Sequence, residues 1–249
     1  MRCGPSWKKK DKKCTEEERS EGETGSIWDH VAIDPCSKLV VSMIQGPCRD
    51  QESSDLLVQD FSNRTNHQAP ELVTTDEHAS YEASLLDVYG ISYRPRRKAK
   101  RGPKKKLKKR WPKTLNYATV KKARKKGRVV DVTTTLVAGD EKLLADALEA
   151  SPCSGAINTS FVERYNGSAR HFNARKQRKT YSFSKQYEEH EAMSWLMVTH
   201  YNFCWKPHTL RLPLGNRCYR YRTPAMAAGI TGLPWNIEQL IGFQIVNCG

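Results

Sequence analysis

The chain has 249 residues, with 42 Lys and Arg against 27 Asp and Glu, for a formal net charge of +15. That length buries one sizeable core with room for a small extra module, and neither a membrane-spanning apolar run nor a signal-like apolar segment interrupts it, so a soluble protein is expected. The eight cysteines (Cys3, Cys14, Cys36, Cys48, Cys153, Cys204, Cys218, Cys248) show no CxxC spacing, and Cys204 and His208, placed to share a helix face, have no second ligand pair, which leaves a zinc ribbon unsupported and points to reduced thiols in a cytosolic chain.

Residues 1–26 are polar, Lys-rich and then Glu-rich, broken by Gly22 and Gly25, and read as a connecting segment. Ile27–Ile33 and Leu39–Gln45 are β-prone and flank Asp34-Pro35-Cys36-Ser37-Lys38, turn chemistry that predicts a hairpin. Asp50 is placed to cap a helix running to about Phe61. Leu72–Thr75 reads as a short buried strand, and Glu77–Tyr89 as a helix with Tyr81, Leu85, Val88 and Tyr89 on its apolar side.

The charge then concentrates. Residues 94–128 hold 19 of the 42 Lys and Arg and no acid, so the other 23 face all 27 acidic residues. Pro95, Pro103 and Pro112 argue against a continuous helix there, and the stretch reads as a basic loop. Such a block repels itself and commonly meets a polyanion, nucleic acid first, because each neutralised phosphate releases counterions; a solvated linker is the bland alternative. Arg96, Arg97, Lys98, Lys100, Arg101, Lys104, Lys105, Lys106, Lys108, Lys109 and Arg110 are the nominated DNA contacts, while Trp111 and Tyr117 either stack on bases or dock the loop to the core.

Val129–Val137 reads as a strand and Asp140–Ala150 as a helix. Asn158–Lys176 and Phe183–Phe203 read as two long helices, followed by a turn-rich stretch from Gly215 to Pro224 and short helices at Pro224–Ile230 and Ile237–Phe243. Strands alternating with helices in this order predict an α/β domain, helices packed on a mixed sheet.

Two acidic residues stand out. Asp76 lies where a strand meets a helix, the crevice side of an α/β sheet, and both a helix cap and a catalytic carboxylate fit that place. Glu163, Asn166 and Arg170 fall at i, i+3 and i+7 and so share one helix face; a solvated stripe worth a few tenths of a kcal/mol is the alternative.

From about Gly25 to Ile241 a series of motifs resembles the DDE transposases of the insertion-sequence-one type. They are Trp28-Asp29-His30-Val31-Ala32-Ile33-Asp34, Thr74-Thr75-Asp76-Glu77-His78-Ala79-Ser80-Tyr81, Thr159-Ser160-Phe161-Val162-Glu163-Arg164-Tyr165-Asn166, Ser182-Phe183-Ser184-Lys185, His200-Tyr201-Asn202-Phe203 and Thr223-Pro224-Ala225-Met226-Ala227-Ala228-Gly229. The resemblance implies an RNase H-like catalytic domain over 27–203 with the basic insert at 94–128, a polar remnant at 1–26 and a short helical tail at 204–249. It implies DNA strand cleavage and strand transfer, with Asp76 and Glu163 as the second and third metal-binding catalytic acids and two Mg²⁺ ions between them. Asn166 and Arg170 would orient Glu163 or touch phosphate. It further implies DNA ends and target as partners, a homo-oligomer and a bacterial or archaeal cytoplasm, near the nucleoid.

The family's first acid lies on an opening strand reading Asp-x-x-Trp-Ser-Phe/Tyr-Val. Met1-Arg2-Cys3-Gly4-Pro5-Ser6-Trp7 has no acid, and Asp34 matches a turn position in the family, which makes it a poor substitute. One codon set for residues 1–7, shifted by one base, spells Asp-Ala-Val-Trp-Ser-Phe-Val, so an out-of-frame start is expected, testable by sequencing the gene. The family's N-terminal zinc-finger and helix-turn-helix regions are also missing, so a truncated chain with impaired transposition and little sequence specificity is expected. A non-catalytic DNA-binding remnant that inhibits transposition is the second reading; an RNA-associated basic protein, which leaves Asp76 and Glu163 unexplained, is the third.

Overall fold

The computed structural model describes residues 6–7, 15, 25–96, 105–177, 180–182 and 184–243, with the side chains of 6, 7, 25 and 26 left aside. Among them the strands are β1 (Ser6–Trp7), β2 (Gly25–Ser26), β3 (Trp28–Ile33), β4 (Val40–Gly46), β5 (Leu72–Asp76), β6 (Ile91–Tyr93), β7 (Lys108–Arg110), β8 (Asn116–Lys125), β9 (Arg128–Ala138), β10 (Leu212–Gly215) and β11 (Cys218–Arg220). The helices are α1 (Gln51–Arg64), α2 (Ala79–Tyr89), α3 (Glu141–Ala150), α4 (Ser160–Phe172), α5 (Tyr187–Phe203), α6 (Pro224–Ala227) and α7 (Ile237–Ile241). The chain is a mixed α/β protein. It divides into two units, 49–160 and 1–48 with 161–249.

Unit 49–160 is built on a three-stranded mixed sheet ordered β5-β8-β9, with β5 and β8 parallel and β8 and β9 antiparallel. The predicted basic loop is therefore mostly sheet at its C-terminal end. Asn116, Tyr117, Ala118 and Val120 are buried at the start of β8, which is the central strand of this sheet. β7 also falls within the basic stretch and pairs antiparallel with β6. Trp111 stacks on Tyr117 with ring centroids 5.6 Å apart, and Tyr117 is buried with its hydroxyl 2.9 Å from Thr75 Oγ1. This stacking docks the segment to the core.

Helix α1 starts where expected, with the Asp50 carboxylate accepting from Ser53 N at 2.9 Å, and runs a turn longer than expected. It meets α2 through small residues: Ser54 Oγ lies 2.7 Å from Ser80 Oγ, and Gln51 donates to Ser84 Oγ at 2.9 Å. Small side chains let the helices approach closely. Val58, Leu85, Tyr117 and Ala138 form the apolar centre, flanked by Val73, Val88 and Val137. Asp140 caps α3, accepting from Lys142 N at 2.9 Å. Before it, Gly139 has a φ of +119°, and a Cβ there would stand 2.2 Å from Asn116 Oδ1, so only glycine fits.

In the other unit, β3 and β4 form the predicted hairpin, with Trp28 opposite Gly46 and Ile33 opposite Val40. Its centre is Val40, Met43, Tyr165, Ala169, Met197, Val198 and Tyr201. The buried Asn202 side chain accepts from Val40 N at 3.0 Å and donates to Val40 O at 2.9 Å, tying α5 to β4. Residues 158–176 are not one helix: α4 ends at Phe172 because the Asn173 side chain accepts from Arg175 N at 3.0 Å and starts a separate 3₁₀ turn, Ala174–Lys176. Helix α5 starts four residues after the expected Phe183, which lies outside the described residues. It ends at Phe203, so Cys204 and His208 do not share a helix face. The stretch expected as turns is a β10–β11 hairpin, turned by Asn216 and Arg217 in left-handed conformations. Thr223 caps α6, and an Asn236–Gln239 capping box starts α7.

Candidate functional site

Asp76 ends β5, level with Val120 of the parallel neighbour β8. The parallel pairing carries the carboxylate to the C-terminal edge of the sheet, the side where α/β folds hold ligands. It does not cap the following helix. The N-cap of α2 is His78, and the Asp76 side chain turns instead to Arg49, whose Nη2 donates to Asp76 Oδ2. Asp76 is 47% exposed, so the pair stands in partial contact with water.

The surroundings of Asp76 are polar and closely linked. His78 Nδ1 shares a hydrogen bond with Ser80 Oγ. Burial and, second, the Arg49 charge push the imidazole pKa below its usual value. Tyr81 meets His78 edge-on at 6.0 Å, and burial, assisted by the Asp76 charge, pushes its phenol up to about 12. Glu77 pairs with Lys121 at 3.1 Å. This corner thus offers one half-exposed carboxylate, one guanidinium beside it and an imidazole whose protonation burial disfavours. Sequence reasoning missed Arg49, because nothing local links a residue before α1 to the end of β5.

Glu163, Asn166 and Arg170 all lie on α4 and are all half-buried, Glu163 in the first turn and Arg170 in the last. The periodic stripe is thus a real helical feature, with Tyr165 and Ala169 on the buried side. Asp76 belongs to unit 49–160, whereas Glu163, Asn166 and Arg170 belong to the other.

Asp34 sits in the β3–β4 turn, its carboxylate accepting from Ser37 N at 2.8 Å, Cys36 N at 3.3 Å and Ser37 Oγ. Those bonds give it a turn-forming role. Lys38, at the end of this turn with a φ of +63°, lays its ammonium 3.7 Å from the Phe161 ring centre. The other carboxylate of this hairpin, Asp29, is inside: it accepts from Lys176 Nζ at 2.8 Å and from Gln45 Nε2 at 2.8 Å.

Of the nominated basic residues, Arg96, Lys105, Lys106, Lys108, Lys109 and Arg110 are exposed. Lys109 is occupied by the Asp87 carboxylate, and the Arg110 guanidinium lies 5.8 Å from the Tyr93 ring. Arg97, Lys98, Lys100, Arg101 and Lys104 lie outside the described residues.

Several of the motifs that carry the family resemblance have structural duties here. Asn202 clamps β4, Ser184 Oγ lies 3.1 Å from Nδ1 of the buried His190, and Thr223 starts a helix. Asp76 and Glu163 are of the kind Mg²⁺ prefers, hard carboxylate oxygens. Yet Asp76 Oδ2 already faces a guanidinium, and among the described residues no three of His, Cys, Asp and Glu gather to hold an ion. Among the described residues no helix is long and apolar enough to cross a membrane. The chain matches no family model, no curated protein and no solved structure.

Proposed function

We propose that this chain is a DNA transposase of the DDE type with an RNase H-like catalytic domain, acting in Mg²⁺-dependent strand cleavage and strand transfer at low efficiency. The observation that carries the reading is the setting of Asp76. It is a half-exposed carboxylate at the C-terminal end of a strand in a mixed sheet, released from helix capping and flanked by Arg49. A guanidinium beside that carboxylate suits a phosphodiester substrate, whose oxygens it can hold in bidentate fashion. The ordered motifs around Glu163 and the cationic stretch from Arg94 to Arg128 support the same reading. Low efficiency follows from the pairing of Asp76 with Arg49, which a metal ion would have to displace.

The Arg49–Asp76 pair also favours a second reading, a non-catalytic DNA-binding protein that competes with an active transposase. One experiment separates the two. The full chain is incubated with a labelled linear duplex and Mg²⁺ or Mn²⁺, and cleaved and joined strands are resolved on a denaturing gel. Metal-dependent products that vanish with Asp76→Ala and with Glu163→Gln support the transposase. DNA binding without products, and Mn²⁺ binding untouched by Glu163→Gln, leaves the competitor.

A further inference from the structure

The β8–β9 hairpin outgrows the sheet it belongs to. Its proximal end is core: Tyr117, Ala118, Val120 and Ala138 are buried. From Lys121 onward no residue of β8 is buried, and Arg128–Thr135 of β9 are all exposed. Five paired positions, Lys121 opposite Thr133 to Lys125 opposite Arg128, thus form a two-stranded ribbon roughly 15 Å long. Its turn is Lys126-Gly127, with φ of +49° and +80°, the two left-handed central residues of a tight hairpin whose twist matches the strands.

Two features of this ribbon call for a partner. Its turn and its β8 strand hold Lys121, Lys122, Arg124, Lys125 and Lys126, and Arg128 opens β9, with Asp131 as the acid opposite. The face that continues from buried Ala118 and Val120 carries Lys122 opposite Val132 and Arg124 opposite Val129, an apolar surface edged by cations. Val129, Val130 and Val132 are 45%, 61% and 50% exposed. Val130 is the extra residue of a bulge between the pairs of Ala123 and Arg124, which sharpens the local twist. Protection of a sheet edge explains only half of the pattern. Beyond Val120, where β5 ends, both ribbon strands are edges; cations guard the β8 side, yet the β9 side is valine-rich and unguarded.

We infer that this ribbon is a DNA-binding arm that enters the major groove of a B-form duplex, its cations on the flanking phosphates and its valines toward the base edges. The major groove, about 12 Å wide, admits a two-stranded ribbon, and thymine methyl groups there offer apolar contact. An A-form RNA duplex has a deep, narrow major groove that such a ribbon does not enter. The inference rests on the reading of the chain as a DNA-acting protein and is independent of its catalytic part.

The test uses the full chain and a 30-base-pair DNA duplex, with binding followed by fluorescence anisotropy over a range of salt concentrations. Arg124→Gln/Lys125→Gln/Lys126→Gln/Arg128→Gln is expected to flatten the log–log salt slope by about 3 to 4, near 0.9 per lost phosphate contact. Arg124→Lys/Arg128→Lys keeps the slope. Val129→Thr/Val132→Thr weakens binding with the slope unchanged, and the matched RNA duplex binds more weakly than the DNA. An unchanged slope in a variant with the parent's circular dichroism overturns the inference, as does equal binding of the RNA duplex. So does a loss of self-association by light scattering with DNA binding intact, which would assign the ribbon to a second copy of the chain. Strand cleavage with an unaltered slope would sink the arm and spare the transposase; a ribbon-dependent slope without cleavage would do the opposite.

Discussion

Arg49 donates to the Asp76 carboxylate from just before the first residue of α1, joining a helix start to a strand end across the sequence. A cation is thereby held where the transposase reading needs a metal. Both side chains are partly in water, so the pair contributes no more than about 1 kcal/mol.

Arg49→Met is therefore expected to change urea stability by less than about 1 kcal/mol while strengthening Mn²⁺ binding several-fold, read by water-proton relaxation. Asp76→Asn added to it should remove the gain. Mn²⁺ affinity indifferent to Arg49→Met would place Asp76 outside any metal site.

The Asp29–Lys176 pair sets a different kind of expectation. Its side chains are 9% and 3% exposed, so loss of one partner leaves a charge stranded out of water. Lys176→Met should cost about 3–5 kcal/mol, with much of it regained in Asp29→Leu/Lys176→Met, where no charge remains. Denaturant titrations of the single and double variants decide this, and a single-variant loss below about 1 kcal/mol would mean that water reaches the pair.

His190 gives the protein an acid-sensitive core. The residue is fully buried, its Nε2 has no hydrogen-bond partner among the described residues, and burial, then the Lys176 charge, push its pKa down to about 4. In the unfolded chain it titrates near 6.5, so between about pH 6.5 and 4 the unfolded state binds the extra proton. Stability is full above that window and falls as the pH drops through it, by on the order of 3 kcal/mol. His190→Gln should flatten this part of the stability–pH curve; an equally steep fall in the variant would assign the effect to other groups.

Two glycines should respond to different degrees. Gly139→Ala meets both the +119° φ and the Asn116 side chain and is expected to cost about 1–3 kcal/mol in thermal unfolding. Gly127→Asn sits in open space with a φ that Asn tolerates, and should cost less than about 1 kcal/mol. Equal losses at the two would mean that backbone conformation alone, not the Asn116 contact, governs position 139.

Much of the local structure was legible in the sequence because its causes are local. The Asp34–Lys38 turn, the Asp50 and Asp140 caps, the short β5 strand and the α4 stripe of Glu163, Asn166 and Arg170 all depend on residues within a few positions of one another. The break at Asn173 and the β10–β11 hairpin were missed, since a polar side chain that helps a cap also sits on a helix face, and Asn216-Arg217 is an uncommon turn pair.

By itself, then, the sequence determined the α/β alternation, the concentration of positive charge in residues 94–128, and the acids worth testing. Tertiary structure alone decided what those residues do. It turned part of a basic loop into the strand β8, because Tyr117, Ala118 and Val120 gain more by burial than the neighbouring lysines lose by pairing into a sheet. It took Asp76 from the helix cap and gave it to Arg49, and it paired Asp29 with Lys176 across 147 positions. Long-range partners of a charge leave no mark in local spacing, since they are fixed only when packing brings distant segments together.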